Sequence, residues 1–342
     1  MTPVVVNKLP DTDAFVVEDL DGASTHVGIV RLAPKILVDG ATTLARSMTY
    51  LFASFEHQVG GASAGINAKA DDRAAAIEGF VGAITPRFAD GSLDLRAGKG
   101  LGDGELEPLR LVAPPGRLDP ESARKLLGPG AVAAATAARG GLEGARVAID
   151  GLEPASESVL AALHAAGATL VAVSTTAGAV ADAGGLDLPR LAVALDEHGA
   201  AAVEHLDREV GVAGSVFGAD ADVLFTGSKV GAIDHDVASG ITASLVVPIG
   251  PVPVTAKALA VLRRSGTTVL PDFVTAAGPW FGTFPDAPAS IEVLRPLVAN
   301  GIAAVVGEVL ANEDGPLLGA CYRAEAYLRS WRDSLPFGRP LA

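Results

Sequence analysis

A single cysteine, Cys321, stands in 342 residues, which excludes an internal disulfide and any cysteine-built zinc site and makes a reducing compartment the expectation. Basic residues are also scarce: 26 Lys and Arg face 40 Asp and Glu, a formal net charge of −14. Nucleic acid and anionic membrane partners need clustered Lys and Arg, so neither is expected. Long apolar runs are missing as well. Ala131–Ala138 and Gly301–Gly307 fall well short of a bilayer span. The opening MTPVVVNKLPDTD has neither the basic nor the apolar segment of a secretion signal, so a cytoplasmic protein is expected. No HExxH, GxSxG or P-loop occurs, and no internal repeat or low-complexity linker is present.

What is abundant is small and apolar. Apolar residues make up 49% of the chain and glycine contributes 40 positions. Tight α/β packing and a GC-rich genome explain that bias equally well. The length suits about two domains, placed at 1–118 and 119–315 with a helical tail over 316–342.

Pro3–Val6, Ala14–Glu18 and Val27–Leu32 read as strands. Over Thr42–Phe55, Leu44, Met48, Leu51 and Phe55 recur on one helical face. Gly60, Gly61 and Gly65 then predict a tight turn into a strand. Asp71–Ile84 is expected to be helical and Asp90–Leu106 a loop. Asp119–Ala138 is expected to be a helix interrupted at Gly128-Pro129-Gly130. From Gly144 onward short apolar strands (145–149, 169–173, 223–226, 244–248, 268–270) alternate with helices (156–166, 188–198, 255–265), the pattern of a parallel, doubly wound sheet. Ser290–Ala311 and Leu317–Ser334 read as closing helices.

Several short motifs keep one order along the chain. They are Met48-Thr49-Tyr50-Leu51, Gly60-Gly61-Ala62-Ser63-Ala64-Gly65, Gly151-Leu152-Glu153-Pro154-Ala155-Ser156, Gly250-Pro251, and Pro271-Asp272 through Ala276-Ala277-Gly278. In this series the chain resembles the glutamate/leucine/phenylalanine/valine dehydrogenase family over nearly all of its length. The resemblance implies an N-terminal α/β substrate and dimerisation domain, a Rossmann-type domain, and C-terminal helices bridging back across a cleft. It also implies NAD or NADP as cofactor and assembly into oligomers.

The resemblance places the family's reacting groups on residues that cannot supply its chemistry. Its carboxylate-binding lysine falls on Leu51 and its carbonyl-polarising lysine on Ser63, twelve residues later. Its general-acid aspartate falls on Gly98, with Lys99 next to it. In the nucleotide loop Gly151 keeps the tight turn, but the second glycine is Glu153, followed by Pro154 and Ser156. A carboxylate there repels a diphosphate by roughly 1–4 kcal/mol at short range. Thr175 ends a strand segment that offers hydroxyls where an acidic residue holds the ribose. Leu127, Ile249 and Ala276 fall on the family's threonine and two asparagines, with Pro279 in place of a final glycine. Glycines and prolines that shape the backbone are kept; charged and hydrogen-bonding positions are not.

Nearby residues offer substitutes. Glu56-His57 offers a general base, against a solvated or core-edge histidine. Lys69 and Lys99 offer cations, and Asp94 and Asp103 offer carboxylates, against solvated loop side chains. Asp234-His235-Asp236 resembles a metal cluster but reads as a surface turn or helix start, since adjacent side chains diverge; no metal site is expected. Trp280 and Phe281 read equally well as a plug or as core packing. Two functions follow. The first is a degenerate paralogue without oxidative deamination, acting as a regulatory or assembly partner in a homo-oligomer or beside an active paralogue. The second is an enzyme with altered chemistry using His57, Glu56, Lys99 or Ser63, with NAD or NADP retained. No cofactor is expected under the first.

Overall fold

The computed structural model describes residues 4–114, 118–284, 287 and 290–341. The chain divides into two compact units, Met1–Pro120 with Cys321–Pro340, and Glu121–Ala320 with Leu341–Ala342.

The first unit is built on a five-stranded mixed sheet. Its elements are β1 (Val5–Lys8), β2 (Ala14–Glu18), β3 (His26–Ala33), α1 (Val38–Ser54), β4 (Gly60–Asn67), α2 (Arg73–Ala89), β5 (Leu93–Ala97) and α3 (Glu107–Val112), and the strand order is β1-β2-β4-β3-β5. Pro3, the start of the first expected strand, lies outside the described residues. The glycine-rich motif is not a turn. It is β4, the middle strand, antiparallel to β2 and parallel to β3, and buried on both faces. The reason lies in the helix above it. A Cβ on Gly61 would sit 1.9 Å from the Ala45 carbonyl and 2.5 Å from the Thr49 nitrogen, so the backbone of α1 rides directly on the strand. The Thr49 hydroxyl accepts a hydrogen bond from the Gly61 amide at 3.0 Å, and the two elements lock together.

Alternation sorts the sheet into two faces. Ala62, Ala64, Ile66, Val30, Leu93 and Leu95 face Ile77, Phe80, Ile84 and Phe88 of α2. Phe15 and Val17 face Ala41 and Ala45 of α1. β5 corrects the expected loop over Asp90–Leu106: Leu93 and Leu95 anchor it, and the charges between them belong to the opposite face.

The second unit carries a six-stranded sheet. Its elements are α4 (Pro120–Arg124), α5 (Leu127–Arg139), β6 (Arg146–Asp150), α6 (Glu157–Ala165), β7 (Thr169–Thr175), β8 (Gly178–Ala181), α7 (Leu188–His198), β9 (Val223–Thr226), α8 (His235–Gly240), β10 (Leu245–Pro248), α9 (Ala256–Arg264), β11 (Thr268–Val269), α10 (Asp272–Thr275) and α11 (Ile291–Val309). The order β11-β10-β9-β6-β7-β8 is parallel throughout except at β8, an antiparallel edge strand that the sequence reading lacked. This is the expected doubly wound, Rossmann-like architecture. Chain order reverses between β6 and β9, so a topological switch point lies at the carboxyl ends of those two strands. Gly128-Pro129-Gly130 does not interrupt a helix. It forms the first turn of α5, where a proline's missing N–H costs nothing.

Cys321–Pro340, which include most of the last helix, α12 (Pro316–Leu328), belong to the first unit. Tyr50 donates to Glu325 at 3.2 Å, and Arg339 donates to both Glu325 oxygens at 2.7 and 3.2 Å. Arg46 and Asp19, 3% and 0% exposed, form a buried pair in which Nε lies 2.7 Å from each carboxylate oxygen. The same guanidinium donates to the carbonyls of Phe337 and, at 2.7 Å, Gly338. Removing one member of a fully desolvated pair strands the other. Asp19→Ala is expected to cost the first unit about 3–5 kcal/mol in urea unfolding; a loss below about 1 kcal/mol, the scale of an exposed pair, would contradict this role.

Candidate functional site

In the first unit the two motif positions lie in packed surroundings. Leu51 follows Thr49 on α1 and is 3% exposed; Ser63 follows Gly61 on β4 and is fully buried, its hydroxyl without a hydrogen-bond partner. Their elements are brought together by the Thr49–Gly61 contact. Glu56 and His57 leave α1 in the next loop, Glu56 with a left-handed φ of 61°. Glu56 is engaged by Arg323 at 3.0 Å. Burial holds the His57 imidazole below its ordinary range, the Glu56 charge opposing this more weakly. Lys69 and Lys99 are exposed.

Gly98 directly follows β5, its amide bonded to the Val30 carbonyl at 2.8 Å. A Cβ there would come 3.0 Å from that carbonyl and 3.2 Å from Cγ of Arg31. The space beside the position matched to the family's aspartate is therefore taken by the stem of an arginine. Asp94 is 6% exposed on a strand, which corrects its reading as a solvated loop carboxylate. Asp103 opens a short 3-10 turn at 4.0 Å from Arg110.

In the second unit the motif residues gather at the carboxyl ends of the parallel strands. Gly151 leaves β6 with φ 80°, and a Cβ on it would lie 2.3 Å from Cα of Ser228, so the loop after β9 crosses it closely. Glu153 is exposed, and its amide is capped by the buried Ser156 hydroxyl at 3.0 Å ahead of α6. Thr175, at the end of β7, spends its hydroxyl on the Ala200 carbonyl at 2.5 Å. Ile249 is buried after β10 against Gly227. Ala276 caps α10, which Thr275 ties to the Pro248 carbonyl at 2.6 Å. Asp272 is buried and accepts from the amide of Val252 at 2.9 Å, a β-branched residue held at φ 49°. Phe281 packs on Phe284 and against the Gly301 position of α11, which decides for core packing. Asp234 caps α8 through the amides of Asp236 and Val237, both at 3.0 Å, so the acidic triplet is a helix start.

One residue at the switch point escaped the sequence reading. Asp150 ends β6 and is 3% exposed. One of its oxygens accepts from the Thr226 and Ser228 hydroxyls, both at 2.8 Å, and the other from Ser174 at 3.4 Å. It thus joins the ends of β6, β7 and β9 across the crevice where doubly wound folds take their ligands. A carboxylate closing the apolar run Val147–Ile149, next to the loop glycine, was the available signal.

Residues 129–280, all in the second unit, match the family model described as Glutamate/Leucine/Phenylalanine/Valine dehydrogenase. The NAD-specific glutamate dehydrogenase of Staphylococcus aureus (strain COL) is 33% identical over 137 residues, 40% of this chain and 33% of that protein. The NADP-specific glutamate dehydrogenase A1 of Halobacterium salinarum is 33% identical over 142 residues, again 40% and 33% of the two chains. The match thus spans about a third of the length of these curated relatives. Among solved structures, a hetero-hexameric glutamate dehydrogenase from Thermus thermophilus in a Leu bound form shares the fold with a TM-score of 0.75 at 22% identity, over 98% of this chain and 90% of that one. The L-tryptophan dehydrogenase from Nostoc punctiforme shares it at 0.64 and 17%, over 96% and 95%. The fold is that of the amino acid dehydrogenases. The family's sequence signature is confined to residues 129–280, whereas the fold is shared over nearly the whole chain.

Asp150→Ala leaves the Thr226 and Ser228 hydroxyls without their acceptor, and a loss of roughly 1–3 kcal/mol per stranded donor is expected in denaturant unfolding; an unchanged midpoint would contradict the tie. For His57, an NMR titration is expected to give a midpoint below 6.5. The sign follows from linkage: a depressed folded value means the unfolded chain protonates first, so stability falls as pH drops below the unfolded value. His57→Gln should flatten that acid-side fall.

Proposed function

We propose that this chain is a non-catalytic member of its family that acts as a regulatory or assembly partner of an active paralogue. The observation that carries the reading is the enclosure of Leu51 and Ser63, 3% and 0% exposed, at the positions matched to the two lysines. Neither side chain supplies a cation, and neither is placed to meet a ligand arriving from solvent.

The nucleotide loop supports the same reading. Gly151 keeps the left-handed turn, yet Asp150 and Glu153 put two carboxylates around it, where an amide-lined loop would meet a pyrophosphate. The hydroxyl of Thr175 is already committed, and no carboxylate stands at that strand end for a ribose. These residues do not fit NAD or NADP, and no reaction step is derived through either. The hetero-hexameric Thermus thermophilus neighbour is a precedent for mixed assembly on this fold. A homo-oligomer is the alternative state.

One observation favours the second reading, an enzyme with altered chemistry. Burial lowers the His57 pKa, which favours the neutral imidazole, the form that accepts protons. On that reading NAD or NADP remains the cofactor.

Parallel titrations with NADH and NADPH, followed by nucleotide fluorescence and melting temperature, separate the two. No saturable binding at millimolar nucleotide, together with capture of an intact dehydrogenase subunit on co-expression, is the expected result. Tight binding of either nucleotide would overturn the partner reading.

A further inference from the structure

The six-stranded sheet has two edges, and among the described residues the chain closes one of them. At β8 the Ala179 amide donates to the Gly211 carbonyl at 2.9 Å, and the Gly211 amide returns to Ala179 at 2.8 Å. At β11 the alternation of the parallel ladder sets which groups are used. The Thr268 amide donates to the Ser244 carbonyl of the β10 side at 2.9 Å, and the Leu270 amide to Val246 at 3.0 Å. Val269 lies between them and turns its N–H and its carbonyl away from β10. Among the described residues neither group has a hydrogen-bond partner, although Val269 is 3% exposed. A buried backbone donor and acceptor of this kind ask for a partner from outside the sheet.

The open edge lines a cleft of about 240 Å³ between β11, α9 and the turn from α11 to α12. Leu259 of α9 and Leu310 and Leu317 of the turn give it an apolar wall. Its rim is fixed by Arg263, which donates to the Glu313 carbonyl at 2.6 Å and stands 3.7 Å from the Asp314 carboxylate. That guanidinium is therefore engaged by the turn itself. Asn312, also on the wall, spends its Oδ1 on the Asp314 amide at 3.0 Å, which leaves its Nδ2 as a further neutral donor.

We propose that this cleft binds one apolar residue of an extended peptide, paired antiparallel with Val269. The class follows from the open groups. An N–H and a carbonyl on one strand residue match the carbonyl and N–H of one residue on an antiparallel neighbour. The edge is one residue long, because the Thr267 amide is spent on the Leu262 carbonyl at 2.9 Å and Pro271 has no amide to offer. The volume is that of about eight waters, which suits a single residue with its flanking peptide groups rather than a seventh strand. The Leu259, Leu310 and Leu317 wall selects an apolar side chain. This site lies away from the switch point and does not rest on the partner reading.

The test uses the full chain and N-acetyl-L-leucinamide, which carries one leucine between two peptide groups and no charge. Its N-methyl analogue, in which a methyl replaces the leucine N–H, is the control. N-acetyl-L-leucinamide is expected to shift the Val269 amide resonance saturably and to slow the hydrogen exchange of that amide. The N-methyl analogue is expected to bind roughly tenfold more weakly, the scale of one lost hydrogen bond. Leu259→Trp fills the cleft from the α9 wall and is expected to abolish the shift. If that variant does not fold, the comparison of the two probes on the wild-type chain decides alone. No saturable shift, equal affinity for the two probes, or a shift that persists in folded Leu259→Trp would each overturn the assignment.

Discussion

Helix α1 lies backbone-to-backbone on strand β4, and much of the first unit follows from that contact. A Cβ on Gly61 would stand 1.9 Å from the Ala45 carbonyl, so only glycine permits the approach, and the Thr49 hydroxyl fastens it to the Gly61 amide. Because the helix is so close, the strand beneath it is made of small residues. Ser63 is sealed between them, and Leu51 is fixed one half-turn beyond the fastening point. The residues that frame the family's motif are therefore retained for packing, independently of any reaction. On the proposed non-catalytic function, positions 51 and 63 are free to change, but Gly61 is not.

The second unit shows the same division between scaffold and chemistry. Gly151 is required by its left-handed φ of 80° and by the Ser228 backbone crossing it. Asp150 draws hydroxyls from two further strand ends into the crevice of the switch point. A buried carboxylate held by neutral donors is a strong local tie, and it turns a crevice suited to ligands into a self-satisfied one. Glu153, exposed on the same loop, adds charge of the same sign. Asp272 persists in the last motif because it holds the amide of the strained Val252.

Much of this was legible in the residues. The alternation of apolar strands with helices after Gly144 gave the doubly wound sheet, since buried parallel strands are written as short apolar runs. The order of the motifs gave the resemblance to the family whose model residues 129–280 match. The failures have physical causes. Gly60–Gly65 reads as a turn by local rules, because the demand for glycine comes from a helix packed on the strand rather than from the local chain. Asp90–Leu106 reads as a loop because Asp94 and Arg96 mask the period-two signal of Leu93 and Leu95. β8 is four residues of glycine, alanine and valine, too short to register. Asp150 escaped because its importance depends on partners that only strand order and register reveal.

On the proposed function, the scaffold persists without the family's reaction. The most direct measurement is nicotinamide reduction by the purified chain with NAD and NADP over a panel of L-amino acids, leucine, glutamate and tryptophan among them. Absorbance that does not rise above the enzyme-free control for any amino acid is the predicted result. Steady turnover of one amino acid, abolished by a substitution at Ser63 or His57, would contradict it.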